Sequence, residues 1–141
     1  MSEKYQICRS AQLDSLAPMR DLIKQAVAEH GWIDDGFLYD LQLAVDEAST
    51  NIITHGYQGR EAGTMILELD IDEQRVLIHL TDFGRAFEPA STPAPDLEAA
   101  LEDRPMGGFG LFFIYQTMDD VDYTSNGFAN QLTLVKRRKQ V

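Results

Sequence analysis

Cysteine, long hydrophobic runs and a signal sequence are absent or nearly absent from this chain. Cys8 is the one cysteine among 141 residues, so no disulfide can form within the chain and a reducing compartment is expected. No stretch approaches the roughly 18 consecutive apolar residues of a membrane span. The amino terminus lacks the basic and then apolar profile of a signal peptide. These absences predict a cytoplasmic protein without a membrane partner.

Basic residues are also scarce. The chain has 12 Lys and Arg residues against 23 Asp and Glu residues, which gives a formal net charge of −11. A field of this sign repels nucleic acid and anionic membranes, so we expect no nucleic acid partner and favour basic protein surfaces instead. The basic residues 136–139 are interpreted as a solvated chain end. A phosphate bound by so acidic a protein needs a local site made of backbone N–H groups or a metal ion.

The hydrophobic content of 44% is sufficient for one compact domain over residues 1–141. Apolar residues recur at helical spacing in two long segments and alternate with polar residues in shorter ones. Four prolines in residues 88–105 predict a long loop, and Asn126-Gly127 predicts a hairpin turn. Together these patterns predict an α+β fold, a two-layer sandwich of a mixed, mostly antiparallel sheet with helices on one face. The predicted elements are strand 4–9, helices 13–30 and 34–55, strands 64–71 and 76–81, helix 110–118, and strands 121–125 and 128–136.

The second predicted helix carries a pair of oxygen-bearing side chains. Glu47 and Asn51 are four residues apart, which places them on the same face of a helix. A carboxylate and an amide oxygen both suit Mg²⁺, which takes few protein ligands and keeps water and phosphate as the others. Taken alone, this spacing is also common on solvated helix faces.

Two later segments contain glycine next to possible ligand-binding groups. Asp82 follows a predicted strand and precedes Gly84, so its carboxylate can accept a hydrogen bond from an exocyclic amine such as that of adenine. Residues 107–111 (GGFGL) precede a predicted helix, where free N–H groups favour an anion. Taken singly, an ordinary turn and a flexible linker explain the two segments. No Gly-Lys-Ser/Thr sequence of a Walker loop is present.

The order of these segments is more specific than any one of them. It resembles the N-box, first glycine box, ATP lid and second glycine box of the gyrase, histidine kinase and MutL ATPase superfamily, over residues 40–135. Within that superfamily the chain is similar to the anti-sigma-factor serine/threonine kinases of bacterial partner-switching systems. We expect neither the helical dimerisation segment of a sensor histidine kinase nor the additional domains of gyrase relatives in 141 residues. The resembling stretches are residues 46–57 (DEASTNIITHGY), 82–89 (DFGRAFEP) and 107–123 (GGFGLFFIYQTMDDVDY).

The resemblance implies the Bergerat ATP-binding fold and a site for ATP with Mg²⁺. In such a site, Asn51 coordinates Mg²⁺ through its side-chain oxygen. Glu47 is the general base that takes the proton from the substrate hydroxyl. Asp82 accepts a hydrogen bond from the adenine amine, with Gly84 packed beside the ring.

Five further residues are implied as contacts of the nucleotide. Gly108, Gly110 and the N–H of Leu111 are expected to cradle the phosphates at the start of a helix. Arg104, near the end of the lid, is expected to contact the γ-phosphate or the protein substrate. Thr133, on the last strand, is expected to contact adenine through water.

The resemblance also implies partners. The expected function is a serine/threonine kinase that phosphorylates a STAS-domain anti-anti-sigma protein and sequesters a sigma factor or an equivalent target. A homodimer through the sheet edge or the first helix is expected from the same resemblance. Two alternatives stay open at this point. One is a nucleotide-dependent sequestering protein without significant kinase activity, and the other is a structural domain that binds no nucleotide.

Overall fold

The computed structural model of the protein describes residues 2–31, 34–86 and 108–138. The predicted proline-rich loop, residues 88–105, lies outside the described residues. A 3₁₀ turn, Leu13–Ser15, precedes the first helix, and a π-helical segment, Ile52–Gly56, continues directly from the second. In chain order the strands and helices are β1 (Glu3–Ser10), α1 (Leu16–Glu29), α2 (Asp35–Asn51), β2 (Thr64–Ile71), β3 (Arg75–Asp82), α3 (Gly108–Thr117), β4 (Asp120–Ser125) and β5 (Asn130–Arg137).

The strands of the described part form one sheet in the order β1-β2-β3-β5-β4. Each neighbouring pair is antiparallel, which confirms the α+β class but corrects the prediction of a mixed sheet. The reason lies in the position of β5. Strands β3 and β4 are joined through α3 and run in the same direction, because both are antiparallel to β5. Since β5 lies between them, they form no parallel pair.

The described helices pack on one face of this sheet, as predicted. Side chains alternate between buried and half-buried along β2 and β3, so one sheet face is covered and the other is open. The covered face and the helices share one hydrophobic core, in which each fully buried Leu or Ile contributes about 2 kcal/mol. None of the described helices is both long and apolar enough to cross a membrane. Fully buried core members include Met19, Ile23, Leu41, Val45, Leu67, Ile78, Leu80, Ile114 and Leu134.

Local chemistry explains where the helices begin and end. Asp34 caps α2, because its side chain accepts a hydrogen bond from the N–H of Phe37 at 3.0 Å. Gly31, with φ +67°, follows the end of α1 in the left-handed region that glycine favours. The helix predicted over residues 34–55 is α-helical only as far as Asn51, beyond which its backbone takes the wider π-helical turn.

The last strand begins two residues later than predicted. The Asn126 side-chain oxygen accepts hydrogen bonds from the N–H groups of Phe128 and Ala129, at 2.9 and 2.7 Å. These bonds hold both residues in the turn, which contains Gly127 at φ +82°. Consequently β5 starts at Asn130 rather than at Phe128.

Candidate functional site

The second half of α2 carries the first part of the candidate site. Glu47 and Asn51 lie one helical turn apart and are both partly exposed. The adjoining side of this half of the helix is core, since Ala44, Val45 and Ala48 are buried. The helix therefore holds the side chains of Glu47 and Asn51 at the boundary between the core and the surface.

The surroundings of Glu47 make its carboxyl group a better proton acceptor than an exposed glutamate. Partial burial, and then the charge of the adjacent Asp46, raise the pKa of Glu47 above its ordinary value. Asp46 itself is paired with Arg20 of α1, with Nη1 to Oδ2 at 2.9 Å. Burial raises the pKa of Asp46, and the nearby Arg20 opposes that rise. A carboxylate with a raised pKa at a surface boundary suits a general base.

Unpartnered polar atoms are concentrated in the same half of α2. Among the described residues, the buried side-chain polar atoms without a hydrogen-bond partner are Asp46 Oδ1, Ser49 Oγ and Asn51 Nδ2. Buried polar atoms in folded proteins nearly always have partners, so each exception asks for an explanation. For Asn51, a ligand with oxygen atoms explains it, because the amide has both a donor and an acceptor to offer. The unpartnered Nδ2 fits a phosphate oxygen, and the side-chain oxygen of the same amide is a ligand of the type that Mg²⁺ takes.

Asp82 forms the second part of the candidate site, at the end of β3. Its side chain is only 4% exposed. Its Oδ1 atom accepts hydrogen bonds from the Gly84 N–H at 2.9 Å and from Asn130 Nδ2 at 3.0 Å. Burial raises the pKa of Asp82, while these two donors oppose the rise. Oδ2 has no hydrogen-bond partner among the described residues.

The two parts of the site meet where the π-helical segment contacts the end of β3. The Arg85 N–H donates to the Gly56 carbonyl oxygen at 2.7 Å. A Cβ atom placed on Gly56 would lie 3.8 Å from Asp82 Oδ1. Because Gly56 ends the segment that continues from Asn51, this contact brings the helix and the strand end together at one edge of the fold.

Gly84 is required by this contact. A Cβ atom on Gly84 would overlap the carbonyl oxygen of Gly56 and lie 2.6 Å from its carbonyl carbon. The sequence predicts that Gly84 leaves room for a ring of the nucleotide. In the structure, its hydrogen atom faces the backbone of Gly56, which by itself excludes a side chain.

We expect Gly84→Ala to lower the free energy of unfolding by about 2 kcal/mol, because backbone atoms cannot give way as a flexible side chain can. Urea denaturation followed by circular dichroism measures the change. Gly36→Ala is a matched control, since its methyl group would meet only the Asp34 side-chain oxygen, at 3.3 Å, and alanine favours helix. A Gly84→Ala protein as stable as wild type would contradict the assigned packing.

Two residues that the sequence analysis did not single out support Asp82. The Tyr57 hydroxyl accepts a hydrogen bond from the Phe83 N–H at 2.9 Å and donates one to the Thr64 carbonyl at 3.0 Å. Asn130 Nδ2 donates a hydrogen bond to Asp82 Oδ1. No local pattern marks Tyr57. Asn130 has a weak signal, because asparagine is unfavourable in a strand.

Thr133 does not lie with Asp82. In the antiparallel register Asp82 pairs with Asn130, whereas Thr133 pairs with His79. The Thr133 hydroxyl contacts His79 Nδ1 at 2.9 Å. Residues an odd number of positions apart on a strand face opposite sides, so Thr133 lies on the open face of the sheet while Asp82 lies on the helix face. Asn130 is the residue of β5 beside Asp82.

The predicted phosphate-binding residues lie at the start of α3. This helix begins at Gly108, so Gly108, Gly110 and Leu111 all fall in its first turn. Its other end is tied to the core, because Lys136 Nζ donates to the Thr117 carbonyl at 2.6 Å and lies 3.5 Å from Asp40 of α2. Arg104 lies outside the described residues.

Comparisons with known proteins identify the family. The profile of the histidine kinase-like ATPase domain matches residues 9–136. The serine-protein kinase RsbW of Listeria monocytogenes is 34% identical over 115 residues, which cover 75% of this chain and 73% of the relative. The anti-sigma F factor of Clostridium beijerinckii is 33% identical over 109 residues, covering 72% and 71%. The serine/threonine-protein kinase BtrW of Bordetella bronchiseptica is 31% identical over 96 residues, covering 68% of each chain.

A solved structure supports the fold independently. The structure of the RsbU and RsbW domains of Rv1364c from Mycobacterium tuberculosis superimposes with a TM-score of 0.68 at 16% identity. The superposition covers 96% of this chain and 32% of that longer chain. At this identity the likeness concerns the fold alone.

Proposed function

This chain belongs to the histidine kinase-like ATPase family, and we propose that it is an ATP-dependent serine/threonine protein kinase of the anti-sigma-factor type. The family and the names of the relatives imply the use of ATP. One structural observation carries the proposal furthest. Gly56, which ends the segment that follows α2, contacts the end of β3, and this contact supports our assignment of the Asn51 amide and the Asp82 carboxylate to one site.

The adenine base and the Mg²⁺ ion are assigned to opposite parts of this site. Asp82 accepts the amine of adenine on Oδ2, because Oδ1 already holds two donors. Asn51 holds Mg²⁺, for which an amide oxygen is a suitable ligand. When bound, the ion neutralises charge on the phosphates, which an acidic protein of net charge −11 cannot do with its overall field.

Glu47 moves the proton in the transfer step. As the serine or threonine oxygen of the protein substrate bonds to the γ-phosphorus, its proton passes to the Glu47 carboxylate, and the bond from that phosphorus to the leaving ADP oxygen breaks. Gly108, Gly110 and the N–H of Leu111 orient the phosphates from the first turn of α3. Arg104 is a further proposed contact of the γ-phosphate or of the protein substrate.

The partners follow from the type of kinase. We assign the phosphorylated substrate to the STAS-domain anti-anti-sigma proteins, and the sequestered target to sigma factors or their equivalents. The relative named anti-sigma F factor supports the second assignment. A homodimer is proposed on the same basis, and the cytoplasm, where ATP and such partners occur, is the proposed location.

Transfer of radioactive phosphate from γ-labelled ATP to the cognate STAS protein tests the function. We expect labelling of a serine or threonine of the partner that requires ATP with Mg²⁺ and is lost when EDTA is added. Calorimetry on the same preparation measures ATP binding separately. Binding of ATP without any transfer would favour the nucleotide-dependent sequestering protein over the kinase. Absence of ATP binding would contradict both.

A further inference from the structure

Asn130 is the polar side chain most closely joined to Asp82, yet none of the assigned roles includes it. It is the first residue of β5, where it pairs with Asp82 of β3 on one side and with Ser125 of β4 on the other. Its side chain is only 2% exposed. A buried amide at a strand end is unfavourable unless its hydrogen bonds are made, so the identity of its partners is informative.

The partners leave one possible orientation for the amide. Nδ2 lies 3.0 Å from Asp82 Oδ1 and 3.0 Å from the Gly84 carbonyl oxygen, both of which only accept. On its other side, Oδ1 accepts a hydrogen bond from the Ser125 hydroxyl at 2.7 Å. If the amide were rotated by about 180°, its oxygen would face the Asp82 carboxylate and the Gly84 carbonyl, which are also acceptors. Ser125 and the two acceptors therefore hold Asn130 as a donor toward Asp82.

This bond determines which oxygen of Asp82 meets a ligand. Oδ1 is occupied by Asn130 and by the Gly84 N–H, whereas Oδ2 has no partner among the described residues. The carboxylate is thus fixed with one acceptor toward the site. Adenine presents an amine donor at its six position, and guanine presents a carbonyl acceptor there. An ionised Asp82 in this orientation accepts from adenine and repels guanine.

We propose that Asn130 is a positioning residue for base recognition, which secures the preference for ATP over GTP by holding Asp82 as an oriented acceptor. The inference rests on the proposed function, since it assumes that Asp82 reads the base. In this role Asn130 acts through Asp82. Ser125 contributes one step further away, by orienting the Asn130 amide.

A change of pH separates this role from simple structural support. Burial raises the pKa of Asp82, and the bond from Asn130 opposes that rise. Without Asn130 the carboxyl group protonates at a higher pH, and its neutral form donates a hydrogen bond. A protonated Asp82 tolerates the guanine carbonyl. Loss of Asn130 should therefore narrow the preference for ATP over GTP increasingly as the pH is lowered. Among the described residues, Tyr57 is a titratable group that faces Asp82; burial and the charge of Asp82 raise the pKa of Tyr57. His79, on the open sheet face, contacts Thr133 rather than Asn130.

The test compares Asn130→Ala, Ser125→Ala and wild type in their affinities for ATP and GTP, by calorimetry from mildly acidic to mildly basic pH. We expect Asn130→Ala to bind ATP about tenfold more weakly, as befits the loss of a hydrogen bond to a charged group, with the ATP-to-GTP ratio falling further as the pH is lowered. Ser125→Ala should change the ratio in the same direction by a smaller factor. Gln131→Ala is the matched control, because Gln131 follows Asn130 on β5 but bonds to Thr81 on the open face.

Several results would overturn the proposal. One is a folded Asn130→Ala protein whose affinities for ATP and GTP, and their dependence on pH, equal those of wild type. Another is a protein that loses affinity for both nucleotides by the same factor at every pH. The melting temperature, measured alongside, identifies a variant that does not fold. If Asn130→Ala does not fold, the pH dependence of the ATP-to-GTP affinity ratio of Ser125→Ala tests the proposal instead. If wild-type protein binds neither nucleotide, the proposed function fails. If it binds ATP but the variants match it, only the role of Asn130 fails.

Discussion

Replacing Glu47 with Gln is expected to lower the rate of phosphoryl transfer by about 10²–10⁴-fold while leaving ATP binding close to that of wild type. The amide has nearly the same shape as the carboxylate and keeps the helix intact, but it cannot accept the proton of the substrate hydroxyl. Glu47 is partly exposed, and no hydrogen bond holds it among the described residues, so the substitution breaks no internal contact. Single-turnover labelling of the partner, with calorimetry for ATP, measures the two effects separately.

A pH profile identifies the group responsible. Burial and the charge of Asp46 raise the pKa of Glu47, and only the deprotonated carboxylate can accept a proton. Transfer by wild type should therefore be slow at low pH, rise as the pH passes through this raised pKa, and level off above it. The residual rate of Glu47→Gln should lack that rise. In wild type, the rise in transfer rate should also occur at a higher pH than the ordinary pKa of glutamate, which is about 4.3.

Glu73→Gln is the matched control for this experiment. It makes the same chemical change in the exposed turn between β2 and β3 and should leave transfer unchanged. Glu47→Gln protein that transfers phosphate at the wild-type rate would remove Glu47 from the mechanism. If the variant fails in transfer yet regulates its partner as wild type does, sequestration alone accounts for the regulation, which is the alternative left open by the sequence.

Asp82→Asn is expected to weaken ATP binding by about 10²-fold, because an amide cannot satisfy both sides of this position. One side faces two donors, the Gly84 N–H and Asn130 Nδ2. The other faces the proposed adenine amine, which is a third. An asparagine has one acceptor and one donor end, so in either orientation its NH₂ group meets another donor. Calorimetric titration with ATP measures the loss.

Asp70→Asn is the control for the lost charge. Asp70 lies on the open face of β2, where it pairs with Lys4 of β1 in the antiparallel register. Its replacement changes the net charge by the same amount without touching the candidate site, so ATP binding should be unchanged. Asp82→Asn protein that is folded and binds ATP within a factor of about three of wild type would show that Asp82 does not read the base, since a lost charged hydrogen bond costs more than that.

Much of the fold follows from local patterns in the sequence. Strand 64–71 was predicted with the bounds that the structure has, because its alternation is regular and its flanks are turn residues. The predicted start of the last strand was wrong for a local reason. The side chain of Asn126 accepts hydrogen bonds from two N–H groups that the alternating pattern assigns to the strand. The prediction of a mixed sheet was wrong for a long-range reason. The insertion of β5 between β3 and β4 depends on how the strands and helices pack together, and no single segment determines it.

The candidate site divides in the same way. The spacing of Glu47 and Asn51 along one helix is a local fact, and so is the order of Asp82 and Gly84 after a strand. The choice between Asn130 and Thr133 as the neighbour of Asp82 is not local, because it depends on the register of two strands distant in sequence, and a slip of one residue turns every side chain to the other face. The same holds for Gly84, whose need for glycine arises from Gly56 on another element.

Sequence by itself determined the family, the helix that carries Glu47 and Asn51, and the carboxylate at the end of β3, because each of these resides in short segments whose spacing and order can be read directly. Tertiary structure alone decided that Gly56 joins the two halves of the candidate site, that Asn130 and Tyr57 support the Asp82 region, and that Thr133 lies on the open face. The physical reason is that hydrogen bonds and close backbone contacts between separate elements depend on how those elements pack, and the packing is a property of the whole core.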